Sequence, residues 1–298
     1  NEVAIVIGQL AAFAVNAVIG LIWGHLPEVW RYMLLVQALP SIFLLIGMWR
    51  APESPRWLIS KNRREEALAI LKQIRPEARA VQEYQDIITL IEIEKEKKLH
   101  TQSATSVIFS TPWIMKLILV GIAWAALQQT TGVNVIMYYG TEILKTAGFS
   151  EKMSLICNVL NGVFSVGGMI FGVMYLVDRF KRKTLIVYGF ALMATLHLII
   201  AGADYFLVGD MKATVIWLLG AIFVGVMQGT MGFLTWVVLA ELFPLKVRGL
   251  SMGISVFFMW VMNAIVSYLF PVLQAKLGLG PVFLIFAVIT YLAILFVV

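Results

Sequence analysis

Apolar residues in this chain neither alternate strictly nor recur every third or fourth position; over long stretches they simply run on. A helix needs about 20 such residues to cross the hydrocarbon core of a bilayer. Eight runs meet that length, at about 3–22, 30–49, 113–140, 153–177, 184–203, 213–240, 250–273 and 281–298, and predict eight transmembrane helices. Asp, Glu, Lys and Arg are absent from their middles, with only Arg31 and Lys116 near entry ends. Trp23, Trp30, Trp49, Trp57 and Trp113 sit at run ends, where an interfacial aromatic belt places them.

The stretch 51–111 has a different pattern. Glu65, Glu66, Leu68, Leu71 and Ile74 fall at helical spacing, and Ile87, Ile88, Ile91 and Ile93 precede a charged run. Two to four short amphipathic helices under the membrane are expected there. Two spans precede this linker and six follow it.

Composition agrees with lipid as the main solvent. Of 298 residues 60% are hydrophobic and 13% charged, against about 25% charged in a soluble domain. The net charge of +6 suggests nucleic acid until the basic residues are placed. With the loops assigned alternately to two sides, 18 of the 23 Lys and Arg share one side, which the positive-inside tendency makes cytoplasmic, together with both ends of the chain. The linker, 50–112, carries eleven basic and nine acidic residues, a salt-bridged surface rather than a nucleic-acid arm. The single cysteine, Cys157, excludes a disulfide framework and a multi-Cys metal site, and is expected to pack. The chain starts without Met, directly at an apolar run, and is expected to be part of a longer protein.

Side-chain amides inside lipid need a partner or water, so Asn and Gln positions are informative. Gln9 with Asn16 and Gly20, Asn158 with Asn161 and Ser165, Gln228 with Gly232 and Thr235, and Trp260 with Asn263 and Ser267 each form one narrow helical stripe. Such stripes serve either helix packing or a shared wet cavity. The third span differs: Gln128-Gln129-Thr130-Thr131-Gly132-Val133-Asn134, followed by Tyr138-Tyr139, puts amides halfway along an apolar helix. On a straight helix they spread too widely for one ligand, so a break at 130–132 is expected to bring them together, as discontinuous helices do in transporters. Amides both donate and accept, matching hydroxyls, and an indole such as Trp236 covers the C–H face of a sugar ring. With no carboxylate or guanidinium expected at this depth, the favoured ligand is neutral and polyhydroxylated.

Four motifs complete the pattern: Pro52-Glu53-Ser54-Pro55-Arg56-Trp57-Leu58; Gln128-Gln129 with Gly132, Asn134 and Tyr138-Tyr139; Asp178-Arg179-Phe180-Lys181-Arg182-Lys183; and Glu241-Leu242-Phe243-Pro244 with Arg248-Gly249. In these the chain resembles, over its whole length, the sugar porters of the major facilitator superfamily, particularly bacterial pentose, hexose and inositol proton symporters. The resemblance implies an all-α helical bundle of which this chain holds about eight of twelve transmembrane helices, starting at the fifth. It divides the chain into the last two helices of an N-terminal bundle (1–49), a cytoplasmic helical linker (50–112) and a C-terminal six-helix bundle (113–298). It implies that Gln9, Gln128, Gln129, Asn134, Asn161 and Trp236 hold the sugar, with Trp260 and Tyr138 lining the pathway; Asn263 joins them from its own stripe. Two departures stand out: Lys181 replaces the usual Gly of the D-R-x-G-R-R pattern, and Met259 stands where related porters often carry an amide.

Glu53, Arg56, Asp178, Arg179, Glu241 and Arg248 are opposite charges at helix ends, able to form a cytoplasmic latch that breaks when two bundles rock. The implied function is alternating-access transport of a monosaccharide or inositol by a monomer in the cell membrane, without cofactor, metal or nucleic-acid partner and without enzymatic activity. Proton-coupled symport is expected in the longer protein, with facilitated uniport and a non-transporting sugar sensor as the alternatives. The carboxylate that carries the proton is implied to lie in the first helix, outside this chain. His25 is expected in a loop, His100 in the linker and His197 packed within a helix.

Overall fold

The computed structural model describes residues 2–99, 104–245 and 247–298, and the regular structure among them is helical. His100 and Lys246 lie outside the described residues. In chain order the helices are α1 (Glu2–Trp23), α2 (Val29–Val36), α3 (Ala38–Arg50), α4 (Pro55–Ser60), α5 (Arg64–Ile74), α6 (Glu77–Leu99), α7 (Ala104–Ser110), α8 (Pro112–Thr130), α9 (Val133–Ala147) and α10 (Glu151–Phe171). They continue with α11 (Arg182–Phe206), α12 (Gly209–Met227), α13 (Phe233–Leu242), α14 (Arg248–Leu277) and α15 (Leu279–Val297). Among the described residues eight segments are long and apolar enough to cross a membrane, one for each run in the sequence. The second, Val29–Arg50, is interrupted at Gln37. Pro40 lacks the N–H that would pair with the Val36 carbonyl, and its ring crowds that carbonyl. The chain divides into two compact units, Leu34–Val107 and a larger one formed by Asn1–Met33 with Ile108–Val298.

In the smaller unit Leu58, Ile59, Ala67 and Ile91 form a core to which Ile70, Tyr84, Ile87 and Ile88 add. Arg63 pairs with Glu66 and Lys72 with Glu77, both at 2.6 Å, while Arg75 reaches Glu83 at 3.3 Å. The Arg63 hydrogen bond holds the Glu66 carboxyl below the ordinary range, and the Lys72 hydrogen bond does the same for Glu77. These are the solvated ion pairs that the mixed charge pattern predicts. In α3 every residue is exposed, with Phe43 at 74% and Trp49 at 85%.

In the larger unit α1 lies along α10, α8 along α14, and α11 along both α12 and α15. The closest approach joins α10 to α12 and the π turns that continue them, at 172–176 and 228–232. A Cβ added to Gly168 would stand 2.0 Å from the Gly225 carbonyl oxygen, and one on Gly172 2.1 Å from that of Gly229. Two G-x-x-x-G stripes thus pack backbone against backbone, the contact that small residues provide where lipid offers no hydrophobic drive between helices.

Pro271 and Gly132 each interrupt the backbone bonding of a span in this unit. Pro271 inside α14 has no N–H for the Ser267 carbonyl, and Tyr139 Oη of α9 donates to that oxygen at 2.9 Å. Gly132, between α8 and α9, adopts φ +78°, and a Cβ there would meet the Phe286 ring at 3.2 Å. The positive φ therefore favours glycine, and an added Cβ would also press on that ring.

At one end of the unit Asp204 joins three helices. Its Oδ2 accepts from the Gly280 N–H at 2.8 Å in the first turn of α15, and its Oδ1 meets Lys212 Nζ of α12 at 2.6 Å. Replacing Asp204 by Ala removes a charge-assisted acceptor and is expected to cost about 1–3 kcal/mol. Asp204→Asn, which keeps an oxygen for Gly280, is expected to lose less. Equal melting temperatures for wild type and Asp204→Ala in detergent would contradict the clasp.

Candidate substrate-binding site

The polar centre of the larger unit is built around the interruption of the third span. α8 ends at Thr130 and α9 begins at Val133, so the chain breaks where the amide cluster required it. Local donors satisfy several of the carbonyls that helix termination exposes. Thr130 Oγ1 donates to Leu127 O at 2.9 Å, Thr131 Oγ1 to Gln128 O at 2.7 Å, and Gly132 N to Gln129 O at 3.3 Å. The turn brings Asn134 from the start of α9 back to Gln129 near the end of α8, where Asn134 Nδ2 donates to Gln129 Oε1 at 2.5 Å.

A cavity of about 170 Å³ opens beside this pair. Gln9 from α1, Gln128 and Gln129 from α8, Asn134 from α9, Trp236 from α13 and Trp260 from α14 all line it. Six of the nine residues expected at a sugar site thus converge from five helices. The oxygens Gln9 Oε1 and Gln128 Oε1 are buried with no protein partner, whereas Gln129 Oε1 is already used within the protein. Two amide acceptors are therefore uncommitted and suit hydroxyl donors. Met259 also lines the cavity and is 3% exposed, so the position where related porters often carry an amide presents an apolar surface here.

The remaining three residues stand elsewhere. Asn263 lies one layer behind: its Nδ2 is 3.4 Å from both Gln129 Oε1 and Tyr138 Oη, and its Oδ1 accepts from Ser267 Oγ at 3.1 Å. Tyr138 reaches the network only through that contact and is 56% exposed. Asn161 does not line this cavity; its Nδ2 faces Asn158 Oδ1 at 3.5 Å, beside a separate void of about 20 Å³ among α9, α10, α11, α12 and α15. Within the Asn158–Asn161–Ser165 stripe, Asn161 Oδ1 and Ser165 Oγ are buried with no protein partner.

Three further residues with polar side chains line the cavity. Gln228 and Thr235 belong to a stripe visible in the sequence. Glu2 corrects the expectation that no carboxylate reaches the site. It sits seven residues before Gln9, close to two helical turns, and so shares its face. That spacing was a usable signal, hidden because Glu2 lies outside the apolar run. Its carboxylate adds an acceptor for hydroxyls and disfavours an anionic ligand.

The charged motif residues fall into both units. Glu53 and Arg56 belong to the smaller one. In the larger one Glu241 pairs with Arg182, a residue of the same basic motif outside the expected set, and both side chains are about half exposed. Arg248 Nε donates to Phe243 O at 3.2 Å, and the Arg179 guanidinium lies 5.8 Å from the Tyr175 ring centre, next to Asp178. Lys181 has φ −63° and ψ 142°, open to any residue, so the departure from glycine there costs nothing in backbone geometry.

Comparison with known proteins places this geometry. The chain is 43% identical to the major myo-inositol transporter IolT of Bacillus subtilis, over 100% of its own length and 62% of that protein. It is 34% identical to the glucose transporter GlcP of Staphylococcus epidermidis, over 100% of its length and 64% of that protein. The inward-open xylose transporter XylE from E. coli superposes with a TM-score of 0.79 at 29% identity, over 100% of this chain and 60% of that one. XylE bound to 6-bromo-6-deoxy-D-glucose, a proton:xylose symporter of the major facilitator superfamily, gives a TM-score of 0.73. The chain spans about three fifths of the length of these relatives, and its fold is that of the major facilitator superfamily. Residues 1–298 match the family described as Sugar (and other) transporter, and the chain belongs to that family.

Proposed function

We propose that the complete protein carries a neutral monosaccharide or inositol across the cell membrane by alternating access. The observation that carries this reading is the convergence of Gln9, Gln128, Gln129 and Asn134 with Trp236 and Trp260 on one cavity. Such a wall recognises hydroxyls by donating and accepting, and covers an apolar ring face with indole. Hydrogen bonds of about 1 kcal/mol each, less ordering costs, give the modest affinity that release requires. The names of IolT, GlcP and XylE, an inositol, a glucose and a xylose transporter, support this substrate class.

In this reading 1–49 are the last two helices of an N-terminal bundle, 50–112 a cytoplasmic linker and 113–298 the C-terminal bundle. The basic loops support a cytoplasmic side for the linker and both ends of the chain. Glu53, Arg56, Asp178, Arg179, Glu241 and Arg248 contribute to a latch between bundles; in this structure Glu241 pairs with Arg182 of its own bundle. The protein acts as a monomer, and proton symport is favoured over uniport by the relatives described as proton symporters.

The test is uptake of radiolabelled myo-inositol, D-glucose and D-xylose into vesicles holding the complete protein, with and without an imposed pH gradient. Accumulation above equilibrium that a protonophore collapses supports symport. Equilibration indifferent to pH makes the protein a uniporter, and saturable binding without uptake makes it a sensor.

A further inference from the structure

Thr131 stands at the break of the third span, and its carbonyl lacks the amide that a continuous helix supplies from four residues ahead, because Val135 N donates to Gly132 O instead, at 3.1 Å. His197 fills the gap from α11: its Nε2 lies 2.8 Å from Thr131 O. A carbonyl only accepts, so Nε2 carries the proton, and the other ring nitrogen, Nδ1, is buried with no partner. The side chain is fully buried, with the rings of Phe223, Phe283 and Phe286 centred 4.4, 5.4 and 5.9 Å away. Phe286 is also the ring that closes on Gly132.

The Thr130, Thr131 and Gly132 bonds at the break join residues three apart, so they would survive a change of angle between α8 and α9. The His197 bond joins residues 66 apart and would not. We infer that His197 is a positioning residue of the binding site: by tying the Thr131 carbonyl to α11 it holds the break at the angle where Gln129 meets Asn134. This rests on the reading of the cavity as a sugar site. An aromatic cage with one buried bond directed at the pivot has a purpose that packing alone does not explain, since a fourth phenylalanine would fill the same space.

The experiment compares wild type, His197→Phe and His197→Gln in the complete protein, with myo-inositol and D-glucose as probes. Phenylalanine fills the cage without a donor, and glutamine restores an N–H at similar reach. The half-saturation concentration is expected to rise about tenfold in His197→Phe and to return to within about threefold of wild type in His197→Gln. The maximal rate per molecule in the membrane stays within about twofold in both. Unchanged half-saturation in His197→Phe, or equal loss in both variants, overturns the inference. A second measurement needs no folded variant: the 15N spectrum of histidine-labelled wild type, with a hydrogen-bonded Nε2–H tautomer expected at His197. An Nδ1–H tautomer there overturns the tether. Absence of uptake by wild type counts against sugar transport itself, and the 15N signal then still decides the tether.

Discussion

Gln129→Ala is expected to raise the sugar concentration at half-saturation by roughly ten- to hundredfold while leaving the amount of protein in the membrane unchanged. Gln129 is 5% exposed, and its Oε1 accepts from Asn134 and lies within reach of Asn263. Removing it takes one amide from the cavity wall and releases Asn134 and Asn263 from the positions that it fixes. A buried partner left unsatisfied costs about 1–3 kcal/mol, and each 1.4 kcal/mol is about tenfold in affinity. Gln129→Glu separates the two contributions, because a carboxylate still accepts from both asparagines but donates nothing to a sugar. Wild-type half-saturation for Gln129→Ala, with myo-inositol or D-glucose as probe, would remove the cavity from consideration as the site.

The second large effect is structural and has a sign that discriminates. Gly168→Ala adds one methyl group in a helix, where intrinsic propensity alone favours alanine by about 1 kcal/mol. At this position the methyl would stand 2.0 Å from the Gly225 carbonyl oxygen, a backbone atom that cannot turn aside as a side chain can. Helices α10 and α12 must then separate along both G-x-x-x-G stripes, and overpacking of this kind costs about 1–3 kcal/mol or more. The melting temperature in detergent is expected to fall. Gly202→Ala in α11, where nothing lies within 4 Å of the added carbon, is the control expected to be neutral or slightly stabilising. A higher melting temperature for Gly168→Ala would show that the helices do not approach so closely.

How much of this the sequence revealed depends on the range of the interaction. Helix existence follows from apolar run length, a local property, so eight runs yielded eight spans, and the break at Gly132 followed from amides too concentrated for a straight helix. The interruption at Gln37 was equally local, marked by Pro40, yet disappeared within a run read as one span. Periodicity shows which residues share a face but not what that face meets. Gln228 and Asn161 sit on equally clear stripes, and the fold turns one to the larger cavity and the other to a separate small void. Glu2 was missed because a carboxylate at the edge of an apolar run reads as an interfacial charge. The pairing of Glu241 with Arg182 and of Thr131 with His197 lay out of reach, since each joins distant helices by contacts that no spacing encodes.

The hydroxyl that takes up the carbonyl left open in α14 carries a further implication, for sequence drift. Pro271 makes the Ser267 carbonyl depend on Tyr139, and Tyr139 finds its acceptor because Pro271 left it open. Neither residue has the same value without the other. A chain that lost the proline would regain an amide at that carbonyl and leave the tyrosine competing for it; one that lost the tyrosine would leave the part-buried carbonyl without its donor. Among descendants of this sequence the two positions should therefore change together, and the paired substitution should be milder than the sum of its parts.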